Sequence, residues 1–85
     1  MTNNILRLPE VLKVMGISRG THYRHISMGL FTKPISLGDR AVGWPESEVV
    51  SINNARIAGL SSLAIKGIVQ ELHSSRKNLK VGRLS

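Results

Sequence analysis

The sequence contains no cysteine, few aromatic residues and no long apolar segment. The absence of cysteine excludes a disulfide framework and a cysteine-based zinc scaffold, and it is typical of proteins in a reducing compartment. No apolar run approaches the roughly 18 residues that a membrane-spanning helix needs. The first residues also lack the charged-then-apolar pattern of a secretory signal peptide. These absences predict a soluble intracellular protein.

Acidic residues are scarce as well. The 85-residue chain carries 12 lysines and arginines against 5 aspartates and glutamates, which gives a formal charge of +7. A chain of this length forms one domain with a single small core. So large an excess of positive charge indicates an anionic partner, with nucleic acid as the first candidate and a membrane surface as the second. Because no spanning or signal segment is visible, nucleic acid is the better candidate.

Residues 8–29 predict two short helices joined by a tight turn. Four apolar residues recur with helical spacing in the first half: Leu8, Val11, Leu12 and Met15. Gly16 stands where a helix can end in a left-handed conformation, and Ser18 is a good N-cap for the second helix. Gly29 is predicted to close that second helix. Two short helices joined by a glycine-containing turn form a helix-turn-helix candidate.

The second helix carries mostly cationic, hydroxylic and aromatic side chains: Arg19, Thr21, His22, Tyr23, Arg24 and His25. Arginine can bond guanine edges or phosphates, and tyrosine and threonine hydroxyls commonly bond phosphate. This composition favours a DNA-contacting helix. The alternative is an ordinary solvated face on a small helical domain.

Residues 35–44 predict a β-hairpin. Apolar and polar residues alternate before a Gly38-Asp39-Arg40 turn, and an apolar strand follows that includes Trp44. A two-stranded ribbon must lean on other elements to be stable, so we expect Trp44 to be largely buried, with Leu12, Ile26 or Val49 among its neighbours. Arg40 at the tip could reach a backbone phosphate or a minor groove; the alternative is an exposed arginine without a partner.

The fold class predicted from these elements is mainly α with a small β-hairpin, arranged as a winged helix-turn-helix. Pro45 is predicted to open a third helix and Gly59 to end it. A last helix is predicted over residues 63–73. We divide the chain into a winged-helix DNA-binding domain, residues 1–73, and a basic, flexible tail, residues 74–85.

Three histidines, His22, His25 and His73, are candidate metal ligands. His22 and His25 lie three residues apart and could share a helical face, but no acid or cysteine stands near them to complete a site. We therefore expect no metal and no cofactor. We expect His22 to pack partly into the core with a hydrogen bond, and His25 to lie at the surface or to face DNA. No nucleophile stands beside an oriented base, so no enzymatic activity is expected.

Several short motifs, in order, resemble the AlpA family of small prophage and genomic-island regulators. They are Arg7-Leu8-Pro9, Ser18-Arg19, Tyr23-Arg24, Lys33-Pro34 and the GDRAVGW segment of residues 38–44. The resemblance extends over residues 5–72 and implies an excisionase-related, MerR-like winged helix. Two positions depart from the family pattern: His22 stands where a branched aliphatic residue is common, and Asn53 stands where an apolar residue is usual.

By resemblance, the helix of residues 18–26 enters the major groove and the wing of residues 38–41 contacts the flanking backbone or minor groove. Family members regulate integrase genes, act as excision factors that bend attachment-site DNA, or do both. The candidate DNA-binding residues are Arg7, Ser18, Arg19, Thr21, His22, Tyr23, Arg24, Lys33 and Arg40. The resemblance also implies repeats in attachment-site or promoter DNA, an integrase and neighbouring copies as partners, no membrane, and a nucleoid-associated place in the bacterial cytoplasm.

An alternative function remains open beside DNA binding. A protein-interaction domain could use the same basic surface to recruit an acidic partner. The two hypotheses differ in their response to salt, because neutralising DNA phosphates gives a log–log slope of about −0.9 per phosphate contact.

Overall fold

Four helices and three short strands make up the part of the chain that the computed structural model describes, which is the backbone of residues 4–84 and the side chains of residues 4–77. In chain order they are β1 (Ile5–Arg7), α1 (Leu8–Met15), α2 (Arg19–Ser27), β2 (Ile35–Ser36), β3 (Val42–Pro45), α3 (Glu46–Ile57) and α4 (Ser62–Leu84). The predicted architecture, mainly helical with a small β ribbon as in a winged helix-turn-helix, is confirmed.

The α1–α2 pair forms the predicted helix-turn-helix, and capping residues define its ends. The N–H of Arg7 donates to Glu10 Oε1 at 2.9 Å, which caps the first turn of α1. Gly16 ends α1 in the left-handed region with a φ of 68°. Ser18 then caps α2, and its hydroxyl accepts the N–H of Thr21 at 3.2 Å. The turn therefore lies between Gly16 and Ser18, as the capping residues predicted.

The three strands form an antiparallel sheet in the order β1-β3-β2, so β3 lies in the middle. The predicted hairpin is β2–β3, in which Ile35 pairs with Gly43. β1 was not predicted, because three residues are too few to show a strand alternation; its Leu6 pairs with Trp44. A Cβ on Gly43 would lie 2.5 Å from Ile5 Cγ2, so glycine permits this close approach of β1 to β3.

The core lies between the sheet and the helices, with Trp44 at its centre. Trp44 has no exposed surface, and its Nε1–H donates to the carbonyl of Thr32 at 2.8 Å. Val49 belongs to the same buried cluster and Ile26 packs against it, which confirms the prediction for Trp44. The buried apolar residues are Val11, Leu30, Phe31, Trp44, Val49, Ile52, Ala55, Ile65 and Val69.

The last helix is longer than predicted. α4 buries Ile65 and Val69, as its apolar stripe indicated, but it continues past His73 to Leu84. The predicted end at His73 was wrong, since Arg76 forms an ion pair with Glu48 of α3 that sequence spacing could not reveal. The division into a domain and a flexible tail after residue 73 stays a prediction, and the side chains of residues 78–85 lie outside the described part. Among the described helices, none has the length and hydropathy required to span a membrane.

Candidate nucleic-acid interface

α2 presents an outward face that is cationic and aromatic. Arg19, Tyr23 and Arg24 are exposed on it. The helix has no acidic residue in its first turn, so the positive end of its dipole is not neutralised by its own side chains. Ser18 and Thr21 stand at this end, with their hydroxyl oxygens 3.0 Å apart in a hydrogen bond. Such an end can accept the negative charge of a phosphate.

His22 lies on the opposite side of α2 and is fully buried. Its ring meets the rings of Phe31 and Trp44 edge-on, with centroid distances of 4.7 and 4.9 Å. The predicted core packing is thus confirmed. A direct DNA contact by His22 is inconsistent with this position, because the side chain is enclosed by the core, and we remove it from the candidate contacts.

The imidazole of His22 is neutral at physiological pH. Burial lowers its pKa to about 4, with smaller contributions in the same direction from the neighbouring His25 and Arg56. Neither ring nitrogen has a hydrogen-bond partner among the described residues, so the predicted hydrogen bond is not found there. An aliphatic side chain would fill this place without unpaired polar atoms, which agrees with the aliphatic residue that the resemblance led us to expect.

His25 connects α2 to α3. Its Nδ1 lies 2.6 Å from Nη2 of Arg56, in a partly buried contact. Burial lowers the pKa of His25, and the nearby guanidinium groups of Arg56 and Arg24 lower it further. The sequence did not predict this role for Arg56, because Arg56 lies 31 positions from His25 and no local pattern indicates that the two residues meet.

The wing carries Arg40 at its tip. The N–H of Leu37 donates to the carbonyl of Ala41 at 2.8 Å, which closes a loop of three exposed residues, Gly38, Asp39 and Arg40. Arg40 has a φ of 58° and is the one non-glycine residue with positive φ in the described chain. That conformation costs about 1 kcal/mol for a residue with a Cβ. The turn predicted at this position is confirmed.

Arg7 and Lys33 lie at two other places around α2 and the wing. The Nε–H of Arg7 donates to the carbonyl of Val42 at 3.1 Å, so the Arg7 side chain lies beside the start of β3, next to the turn of the wing. Lys33 follows the end of α2, and it lines a cavity of about 370 Å³ with Met28 and Lys66. Its backbone is held by α4, since its N–H donates to His73 Nε2 at 3.1 Å and its carbonyl accepts from Arg76 at 2.7 Å.

The candidate residues therefore fall into three groups. Arg19, Tyr23 and Arg24 are exposed along α2, Arg7 and Arg40 lie near the turn of the wing, and Lys33 lies beside α4. The candidate metal ligands do not come together in the same way: in the described part of the chain, no three histidine, aspartate or glutamate side chains are arranged to hold an ion.

The segment that builds this surface matches a known protein family. Residues 4–56, which include the helix-turn-helix, the whole sheet and most of α3, match the family model described as prophage CP4-57 regulatory protein, AlpA. This is more than half of the chain. The chain belongs to the AlpA family. The family is described as one of prophage regulatory proteins, and the resemblance deduced from the motifs is confirmed.

One relative of this AlpA-family chain is the uncharacterized protein ORF88 of Enterobacteria phage P4. The two sequences are 46% identical over 54 residues, which is 64% of this chain and 61% of the relative. The aligned part thus spans less than two thirds of the relative's length. No solved structure matches the chain. α4 begins at Ser62, beyond the family match, although its Ile65 and Val69 complete the core.

Proposed function

We propose that this AlpA-family protein binds double-stranded DNA sequence-specifically within a mobile element. In that element it acts as an excisionase, that is, a recombination directionality factor, as a transcriptional regulator of the integrase gene, or as both. The observation that carries the proposal is the exposed face of α2, where Arg19, Tyr23 and Arg24 stand together on a helix that has no acidic side chain.

We assign α2 to the major groove, and the helix-turn-helix geometry supports this assignment. In this motif the second helix enters the groove with its N-terminal residues nearest the base edges. Arg19 opens α2, and Arg24 follows on its exposed side. Either guanidinium can bond the O6 and N7 atoms of guanine in a bidentate manner. The hydroxyls of Ser18, Thr21 and Tyr23 are suited to phosphates, which fix the position of the helix but carry no sequence information.

The wing and the neighbouring Arg7 add contacts outside the major groove. Arg40 at the tip and Arg7, bonded to Val42 beside the turn, are exposed cations near the same end of the hairpin. A hairpin tip reaches the sugar–phosphate backbone or a narrow minor groove more readily than it reaches major-groove edges. We assign Lys33, beside the end of α2, to a flanking phosphate for the same reason.

Several copies are needed for adequate specificity. A single small module buries a limited area on DNA and discriminates modestly against the many other sites of a genome. We propose that the protein binds adjacent repeats in an attachment region or an integrase promoter, with neighbouring copies and an integrase as its protein partners. Excision and transcription control require the same DNA-binding domain, so an experiment must separate them.

The deciding experiment is footprinting across the attachment sites and the integrase promoter of the host element, with an excision assay in a deletion strain. Protection at the attachment sites and loss of excision would support the excisionase role. Protection at the promoter alone, with normal excision in the deletion strain, would contradict that role and leave a transcriptional regulator.

Salt dependence separates DNA binding from the recruitment of an acidic protein. We expect affinity for a random duplex to fall steeply as salt rises, with a slope of about −0.9 per phosphate contact. A protein-interaction domain need not respond to the duplex at all, so absence of duplex binding at low salt would contradict the proposal.

A further inference from the structure

α2 is attached to the rest of the molecule by few side chains. His22 is its one fully buried residue, and Ile26 is partly buried against the core. Within residues 4–77, the contact between His25 and Arg56 is the one side-chain hydrogen bond that joins α2 to another helix. His22 and Ile26 anchor α2 to the core on one side, and this hydrogen bond is the directional polar contact that further defines how α2 is rotated about its axis.

The protonation states of the two partners follow from their chemistry. The guanidinium of Arg56 is always charged and can only donate, so Nδ1 of His25 must be the acceptor. His25 is then neutral, with its proton on Nε2. The groups that face His25 are cationic on both sides, with Arg24 on its own helix and Arg56 on α3, and both disfavour the imidazolium form.

The surroundings of Arg56 make this contact specific. Arg56 lies in the last turn of α3 and is partly buried. Its Nε is fully enclosed and has no acceptor among the described residues. Among the side chains of residues 4–77, His25 is therefore the acceptor that this guanidinium reaches. A partly buried arginine that bonds a side chain of α2 is placed to orient that helix.

We propose that Arg56 is a positioning residue for DNA binding, which holds α2 in its DNA-reading orientation through His25 and does not itself touch DNA. Arg24 precedes His25 on α2, so a rotation released at His25 displaces the Arg24 guanidinium from its base or phosphate. The inference rests on the proposed function. It adds Arg56, which a search of the sequence for exposed DNA-contacting residues would not find.

The test compares Arg56→Ala with Arg24→Ala on a specific duplex and a random duplex over a range of salt concentrations. We expect Arg56→Ala to weaken specific binding about tenfold, in keeping with the loss of a hydrogen bond to a charged group. The salt slope should stay unchanged, because no phosphate contact is removed. Arg24→Ala should instead relax sequence preference or reduce the slope by about one unit. Lys66→Ala removes an exposed cation of α4 and serves as the matched control, with affinity and slope expected to match wild type.

Variants at His25 test whether Arg56 acts through that residue. His25→Ala should reproduce the loss caused by Arg56→Ala, and the double variant should be no weaker than either single variant. His25→Asn keeps an acceptor near the Nδ1 position and should retain most of the affinity. In the free protein, NMR titration should show the pKa of His25 rising toward its ordinary value in Arg56→Ala. This readout needs no DNA, and the His25 variants carry the test if Arg56→Ala does not fold.

Three results would overturn the inference. A salt slope reduced by one unit in Arg56→Ala would show that Arg56 bonds a phosphate directly. Unchanged specific affinity in a folded Arg56→Ala protein would show that the contact does not orient α2. Additive losses in the double variant would show that Arg56 and His25 act independently. If the wild-type protein bound no duplex, the proposed function would fail, and the inference would fail with it.

Discussion

α2 and α4 pack against the same core but are attached to it by opposite kinds of chemistry. α2 is attached through histidines, His22 among aromatic rings and His25 to a guanidinium. α4 is attached through two buried aliphatic residues and through an ion pair in which Arg76 bonds both oxygens of Glu48, at 2.8 and 2.7 Å. Arg76 of α4 is thus neutralised within the protein, whereas Arg19 and Arg24 of α2 remain exposed to a partner.

This difference distinguishes α2, the proposed binding helix, from α4, which supports the fold. Arg76 also bonds the carbonyl of Lys33, and His73 accepts the N–H of the same residue. α4 is therefore bonded to the backbone of Lys33, which lies between α2 and the wing. The family match ends at residue 56, yet the helix that follows contributes to the core on which α2 and the wing rest. The exposed arginines of α2 indicate a binding role, whereas the paired Arg76 of α4 is expected to contribute to the stability of the fold.

The largest effect should come from the residue that both helices depend on. Trp44 contacts His22 of α2 and shares the core cluster with Val69 of α4. Trp44→Ala should lower the free energy of unfolding by about 3–5 kcal/mol, because it leaves a large cavity and an unpaired Thr32 carbonyl. Urea unfolding measures the loss, with Trp44→Phe as a milder control. Near-native stability of Trp44→Ala would show that the two helices do not share this support.

Acid should destabilise the attachment of α2 through its histidine. The folded protein lowers the pKa of His22 to about 4 from its ordinary value of 6.5, so the unfolded chain binds more protons between these values. Stability is therefore lost as pH falls from 6.5 toward 4, by roughly 3 kcal/mol from His22 alone. The lowered pKa values of His25 and His73 act in the same direction.

His22→Leu provides the control for the pH dependence. It should flatten the dependence of stability on pH measured by chemical unfolding, because it removes the titrating group. It should also leave the protein at least as stable at neutral pH, since two buried nitrogens without partners are removed. An unchanged pH profile would contradict the assignment of the effect to His22.

The ion pair of α4 should contribute to stability and not to DNA reading. Arg76→Ala leaves the nearly buried carboxylate of Glu48 without its partner, so we expect a loss of about 2–3 kcal/mol in the free energy of unfolding. Lys77→Ala, at the exposed neighbouring cation, should change stability by less than about 0.5 kcal/mol. If Arg76→Ala lowered DNA affinity with no change in stability, the claim that α4 supports the fold without contacting DNA would be wrong.

The exposed arginines of α2 should show the opposite behaviour. Arg24→Ala should cost about 1–3 kcal/mol in binding a specific site and relax sequence preference there, with little change in folding. Arg19→Ala should behave in the same way at a neighbouring base. Wild-type affinity and specificity in both variants would show that α2 is not the reading helix. The measurement is a binding titration on the footprinted site and on single-base variants of it.

The smallest effect is expected at the wing. Arg40→Gly should weaken specific and random duplexes alike and flatten the salt slope by about one unit. Glycine accepts the positive φ of this position without strain, so folding stability should not fall. A loss confined to one base position would mean that the wing reads sequence. The proposed division between a sequence-reading α2 and a backbone-contacting wing would then be wrong.

The sequence by itself determined the local features of the fold and the family. Gly16 and Ser18 defined the helix-turn-helix because capping depends on residues a few positions apart. The turn at residues 38–40 defined the wing for the same reason. The ordered motifs identified the family, and the exposed cations of α2 gave the DNA-binding hypothesis.

Only the tertiary structure decided the contacts between distant residues. β1 required β3 as a partner, Arg56 reached His25 across 31 positions, and Arg76 reached Glu48 across 28. His22 was expected to pack partly into the core, but only the structure showed that its partners are the rings of Phe31 and Trp44 and not a hydrogen-bonding group. Local signals extend over one or two turns of chain, whereas these contacts depend on how whole elements pack, and that information is spread over the entire sequence.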